Sequence, residues 1–406
     1  MARRVEGMVV YLFLIILFGC GDRDGGASDT EKGHVDDSDP QGDTDTDAGT
    51  LPGDTVQEPP TDGDTASDHD TATSTDGAPP LFDTYGILST VAGACAINDK
   101  GVNGWQDAFE GGAALDAELS RPHFAMADDA GNIYVADKDA HGIRKISPDG
   151  AIVTVAGTSV AGDGGDGPGV ATEMALSSPN GLWVRGDGTV YIVDLGNSKI
   201  RKLTPDGEMT TLFTDTGGIS LGRSIWMNDD ETLCFYASGS TAKRWTPDEG
   251  ITVAASGFSG LGALVVDPEG RLVVTDRVGN RVYRVGDDGT KIPIAGTGSA
   301  EASGGGGFPA LDTALSGVRG VWFLDDGGYF LATHEGSQVW YVDTAGIIHL
   351  FLDGQPDDVH AGDGERFDTP GPKVSEVRGI SVDADGNVII TENDCGYIRK
   401  VAKINN

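Results

Sequence analysis

Six eight-residue segments align along this chain without a gap, and that periodicity constrains the fold more than any other feature. They read RPHFAMAD from Arg121, SPNGLWVR from Ser178, LGRSIWMN from Leu221, GLGALVVD from Gly260, GVRGVWFL from Gly317 and EVRGISVD from Glu376. Nine residues beyond the last position of each, a second β-rich run ends, at Asp137, Asp194, Ala237, Asp276, Thr333 and Glu392. A third run follows in every copy, as in GIRKIS, KIRKLT and YIRKVA. A turn, often Asp-Gly, then leads to a fourth, as in AIVTVAG. Each copy is therefore four short antiparallel strands joined by tight turns. A sheet this small cannot bury both faces alone, so the copies must stack. Radial stacking of four-stranded sheets gives a β-propeller. The expected fold is all-β, a six-bladed β-propeller of four-stranded antiparallel blades.

The sixth copy reaches Asn406 without a fourth strand, while GILSTVAG at 86–93 precedes the first copy as a fourth strand without a blade. Pairing of 86–93 with 397–401 closes the ring and leaves no sheet edge exposed. The N-terminal strand is thus expected to complete the last blade. Cys95 lies two residues past that strand and Cys395 two residues before the third strand of copy six. The corresponding positions in copy one, Ser159 and Ala140, face each other through antiparallel pairing. A Cys95–Cys395 disulfide across the seam is expected, and an oxidising envelope permits it. Cys234 falls within an apolar strand and reads as a buried free thiol.

The chain carries a net charge of −36, unevenly spread: residues 21–83 hold 18 Asp or Glu against 2 Lys or Arg. A field of this sign repels phosphates, so no nucleic-acid partner is expected. Segment 21–83, almost wholly Asp, Thr, Gly, Ser and Pro, is too polar to offset its ordering entropy and reads as a disordered acidic linker. Ahead of it, Arg3 and Arg4 precede an apolar run at 8–18 that is too short to span a bilayer as a helix. The run ends in Leu17-Phe18-Gly19-Cys20, which resembles the lipobox of bacterial lipoproteins. The resemblance implies that Cys20 is lipidated and becomes the mature N-terminus. The protein would then sit in the cell envelope, anchored in the membrane by lipid, at the outer membrane or cell surface rather than the inner membrane. The expected organisation is a signal peptide at 1–20, a linker at 21–83 and a propeller at 84–406.

The repeats resemble the NHL family. The resemblance rests on Pro179-Asn180-Gly181, the Gly-Asn-Ile-Tyr-Val-Ala-Asp run at 131–137, Ile143-Arg144-Lys145, Asp149-Gly150 and Val155-Ala156-Gly157. It covers roughly 84–404 and is weakest in copy three. It implies a six-bladed propeller that serves as a binding platform for protein, carbohydrate or RNA. A few relatives are lyases or lactonases with a metal in the central channel.

One aligned column reads His123, Asn180, Arg223, Gly262, Arg319 and Arg378. It falls where the innermost strands begin, so it is expected to ring the mouth of the channel. Arginine forks suit carboxylate or phosphate, which points to a small anion or an acidic sugar. The other reading pairs these arginines with rim carboxylates such as Asp137, Asp194 and Asp276. His123, His141, His334 and His360 show no metal-ligand spacing, and an arginine-rich column repels a cation. No metal, cofactor or catalytic residue set is expected. Trp183, Trp226 and Trp322 share another column and read as packing between blades, with sugar stacking as the alternative. Trp105, in the long loop at 95–118, is expected to be exposed. The sequence therefore points to an extracytoplasmic binding module for an envelope protein, a carbohydrate or an anionic ligand, expected to be monomeric. A channel lyase or lactonase and a purely architectural protein are the alternatives.

Overall fold

The computed structural model describes residues 77–96, 101–301, 305–356 and 359–404. The signal segment, Cys20 and most of the linker lie outside these residues. Among the described residues the regular structure is twenty-six strands and six short 3-10 turns. No helix among them is long and apolar enough to cross a membrane.

The strands form six antiparallel sheets. Blade one comprises Pro122–Ala127, Ile133–Asp137, Gly142–Ile146 and Ile152–Ala156. Blade two begins with Pro179–Val184, blade three with Ile225–Met227, blade four with Leu261–Val266, blade five with Val318–Phe323 and blade six with Val377–Val382. These six innermost strands pack against one another in a closed circle, one to two, two to three, and so on to six against one. The second strands are buried on both faces, as in Ile133–Asp137 and Val190–Asp194, because each blade is covered by its neighbours. Outer strands such as Lys291–Ala295 are largely open to solvent, with only Ala295 buried. The core therefore lies between blades, in apolar clusters that run around the ring.

The ring closes as the repeat arithmetic requires. Tyr85–Ala92 is the outer strand of blade six and pairs antiparallel with Ile398–Lys403, from Tyr85 opposite Lys403 to Ala92 opposite Ile398. Cys95 and Cys395 form a disulfide beside this seam, 300 residues apart in sequence. Gly93 has φ +106°, and a Cβ there would sit 2.5 Å from the Gly396 carbonyl oxygen. Gly157 repeats the geometry in blade one, where a Cβ would meet the His141 carbonyl oxygen at 2.3 Å. The glycine of the Val-Ala-Gly ending is thus a steric requirement of the turn out of these two outer strands. Cys234 is buried and unbridged.

Three features depart from the sequence expectation. Packing reaches back beyond residue 84: Phe82, in the 3-10 turn Pro80–Thr84, is buried against Phe351, Phe367 and Tyr341. The Gly-rich connections do more than turn. Gly169–Val170 and Gly306–Pro309 pair with the outer strands of blades two and five, giving those sheets a fifth strand. Blade three carries an extra residue in its first turn. Asn228 N–H donates to the Leu233 carbonyl, five residues on, where Asp128 N–H in blade one donates to Asn132, four residues on. Ser238, not Ala237, therefore occupies the place of Asp137. The Ser120 amide donates to Asp137 and the Ser220 amide to the Ser238 hydroxyl, at equivalent positions.

That place matters because it anchors the blade. In blades one, two and six a buried acid closing the second strand pairs with an arginine seven residues on: Asp137 with Arg144 at 3.0 Å, Asp194 with Arg201 at 2.9 Å, and Glu392 with Arg399 at 2.9 Å. All six side chains are at most 1% exposed, and such pairs hold only when their remaining hydrogen bonds are met. They are met by incoming backbone amides, those of Ser120, Ser177 and Ser375. Blade three replaces the pair with Lys243 and Asp215, 2.5 Å apart.

Candidate functional site

The channel column is built by a repeated β-bulge. In blade two Pro179 opposes Asp194 and Gly181 opposes Val193, so Asn180 is left without a cross-strand partner. Arg319 is displaced in the same way between Val318 and Gly320 in blade five, and Arg378 between Val377 and Gly379 in blade six. Blades one and four break register at the same point, across His123 and Gly262. Blade three has no pairing there, since its innermost strand begins only at Ile225, after Arg223. A bulge re-aims the extra side chain. In blades one, two, five and six it displaces His123, Asn180, Arg319 and Arg378 from the ladder at the start of the innermost strand.

The convergence is visible in the electrostatics. His123 Nε2 lies 3.3 Å from an Arg378 guanidinium nitrogen. An arginine only donates, so Nε2 accepts and the imidazole is neutral. Burial, and then the charges of Arg378, Lys138, Arg319 and Arg223, hold its pKa well below the ordinary histidine value. Arg378 is pushed down to about 10, by burial first and then by Arg121 and Arg223, with Glu376 opposing. Residues from blades one, three, five and six therefore act on one another's charges within one region of the ring. Asn180 is completely buried, His123 is 4% exposed and Arg319 3%.

Carboxylates enter this space from positions that the sequence reading did not name. Glu376 lies 3.2 Å from Arg378 and 3.5 Å from His334 Nε2. Burial alone would raise the Glu376 pKa, but the His334 hydrogen bond and the Arg378 charge hold it well below the usual carboxylate range. Glu335 lies 3.1 Å from Arg277, and Asp139 lies 3.8 Å from Arg121. The rim acids named from sequence serve elsewhere: Asp137 and Asp194 hold Arg144 and Arg201, and Asp276 accepts the amides of Ser259 and Gly260. Glu376 and Arg121 stand two residues before Arg378 and His123. The aligned first column of the repeat was the available signal for both.

The histidines do not converge. His141 Nδ1 accepts the Ser178 amide, and His334 bridges Glu335 and Glu376. His360 lies 2.6 Å from Glu392 and 3.5 Å from Asp394. These last three side chains offer ligand atoms within 4.8 Å of one another. Arg399 sits 2.9 Å from the same Glu392 carboxylate, so the cluster is an ion-pair network at the seam.

Trp183 and Trp322, from blades two and five on opposite sides of the ring, stack with centroids 5.7 Å apart, and Trp226 joins them 6.2 Å from Trp183. The three half-buried indoles thus meet across the axis and pack between blades. Trp105 is not an exposed contact. It is buried, with the Arg144 guanidinium stacked 3.8 Å above its ring. The loop folds inward because the indole covers an otherwise solvent-facing buried ion pair.

The fold is that of a six-bladed β-propeller, with arginines and carboxylates gathered where its innermost strands begin. No family model matches the chain. A curated relative, Protein SUPPRESSOR OF QUENCHING 1, chloroplastic, from Arabidopsis thaliana, is 25% identical over 292 residues, which is 61% of this chain. The match spans 27% of that protein's own length. Among solved structures, a protein of unknown function from Bacteroides thetaiotaomicron superposes with TM-score 0.60 at 15% identity, covering 78% of this chain and 75% of that one. An auxiliary nutrient binding protein from Bacteroides ovatus superposes with TM-score 0.56 at 13% identity, covering 79% and 77%. At these identities the likeness is one of fold.

Proposed function

We propose that this chain is a cell-envelope lipoprotein, tethered through Cys20 and the acidic segment 21–83, whose NHL-type propeller binds a small anionic ligand at the channel mouth. The observation that carries the reading is the bulge. It turns Arg319, Arg378, Asn180 and His123 toward one axis, where Arg223 also lies, in a chain whose net charge is −36. Guanidinium groups gathered out of solvent favour an anion, which the net negative charge of the chain as a whole does not. The Bacteroides ovatus relative, described as a nutrient binding protein, fits a role in capture rather than catalysis.

Calorimetric titration of the purified full-length chain with small carboxylates and phosphate tests the site. Binding should be lost in the Arg319→Gln/Arg378→Gln double variant while its unfolding transition stays cooperative. Anion binding that survives both substitutions would place the site elsewhere. The anchor is tested separately. Cys20→Ser should move the protein from the membrane to the soluble fraction, and unchanged fractionation would refute lipidation.

A further inference from the structure

What the anion carries besides its charge is written in Asn180. Its side chain is completely buried. Neither the amide nitrogen nor the amide oxygen has a hydrogen-bond partner. Each buried donor or acceptor left in that state costs about 1–3 kcal/mol, and such groups are rare enough in native proteins to require a reason. The backbone does not supply one. Pro179 and Gly181 on either side make their cross-strand pairs, and only Asn180 is bulged out of the ladder. An apolar residue of the same size would fill this place without leaving polar atoms unmet.

Asn180 stands in the ring between His123 of blade one and Arg223 of blade three, with Arg319 of blade five across the axis. The arginines can only donate, so a ligand that joins Glu376 beside Arg378 must accept: a carboxylate or a phosphate. The amide needs something different, a group that accepts from its nitrogen and donates to its oxygen. A hydroxyl does both, and an unsubstituted carboxylate cannot donate. A ligand would meet these groups largely out of solvent, because the Arg378 side chain is only 8% exposed and Arg223 is 9% exposed.

We infer that the axial site takes a small hydroxy acid of sugar-acid type, its carboxylate on the Arg319–Arg378 side and a hydroxyl on Asn180. This deepens the anion-binding reading above and rests on it.

The test titrates the full-length chain with four probes: gluconate, hexanoate, glucose and inorganic phosphate. Gluconate and hexanoate share charge and carbon count and differ in hydroxyls. Two hydrogen bonds to a buried amide predict about tenfold or more tighter binding of gluconate than of hexanoate, with no binding of glucose. Asn180→Ala should bring gluconate down to the affinity of hexanoate. Asn180→Asp should place a carboxylate among the arginines, raise the melting temperature and abolish binding of all the anions. If hexanoate or phosphate binds as tightly as gluconate, the hydroxy-acid inference falls while the anion site stands. If none of the anions binds, both readings fall. Should Asn180→Ala not fold, the contrast between gluconate and hexanoate on the natural chain decides alone.

Discussion

Replacing both Cys95 and Cys395 with Ser removes the covalent closure of the ring and leaves its hydrogen-bonded closure in place. The folded state should change little. Tyr85–Ala92 keeps its pairing with Ile398–Lys403, and Tyr85 and Leu88 stay buried in the apolar cluster of blades five and six. The loss therefore falls on the unfolded chain. For a loop of 300 residues the chain-entropy relation gives about 5–6 kcal/mol. Compact unfolded chains recover part of this, so about 3–5 kcal/mol is expected at equilibrium. A propeller of this size has an unfolding entropy that converts the loss to a melting-temperature drop of about 5–8 °C. The assay is guanidinium unfolding of the full-length protein, oxidised, reduced and as the double Ser variant. The last two should coincide, with a lower midpoint and a larger m, because the freed unfolded chain exposes more surface. Equal midpoints for oxidised and double-Ser protein would refute the argument. They would mean that strand pairing alone restrains the N-terminus, even in the denatured ensemble.

Two further tests address the seam and the loop at 95–118. Burial disfavours the charged form of His360, but hydrogen bonds to Asp394 and Glu392, and their charges, outweigh it and raise its pKa from 6.5 to about 9. The folded value exceeds the unfolded one, so the stabilisation is full below about pH 6.5 and disappears as the pH rises through 9. A shift of this size is worth at most about 3 kcal/mol, and solvent screening at this partly exposed site reduces it to about 1–2 kcal/mol. The urea midpoint of His360→Asn should lie below that of the natural protein at pH 6 and converge with it by pH 10. A gap that does not depend on pH would remove the ion pair from the account. Trp105→Ala should cost about 3 kcal/mol, from lost burial and from the uncovered Arg144, as read by thermal unfolding. A loss under 0.5 kcal/mol would mean that the loop does not pack on blade one in solution.

The blade count, the strand order and the closing strand were legible in the sequence because they depend on periodicity and on strands that cannot bury themselves alone. The disulfide was legible because the repeat itself supplied the coordinates of its two ends. What failed did so for local reasons. Equal spacing placed Ala237 at the acid position of blade three, yet an added residue in a turn leaves the strand pattern intact. The slip shows in the Asn228–Leu233 turn and in the Ser220 amide bonded to Ser238. Trp105 read as exposed because its loop has no periodicity. Its burial comes from Arg144, a residue the repeat would have to place in three dimensions before the contact could be foreseen. The column was legible as an alignment, but the carboxylates beside it are not the ones the sequence suggested. Asp137, Asp194 and Asp276 close the second strands and serve the blades, whereas Glu376 precedes the bulge and serves the axis.

That division of labour explains how an acidic chain can carry a cationic site. The buried acids Asp137, Asp194 and Glu392 are each held by an arginine of the same blade, and this pairing closes the second strand of blades one, two and six. Arg319 and Arg378 come instead from bulges in the ladder, so the pairing of the second strand does not dictate their identity. Blade four shows the limit of that freedom. A Cβ at Gly262 would lie 2.6 Å from the Arg319 carbonyl oxygen and 2.4 Å from the Thr275 hydroxyl. Arg319 can lie where it does because its neighbour in the ring has no side chain. Gly262→Ala should therefore displace Arg319 and weaken anion binding without touching a charge. If the Ala variant folds and binds as the natural protein does, Arg319 is not part of the site.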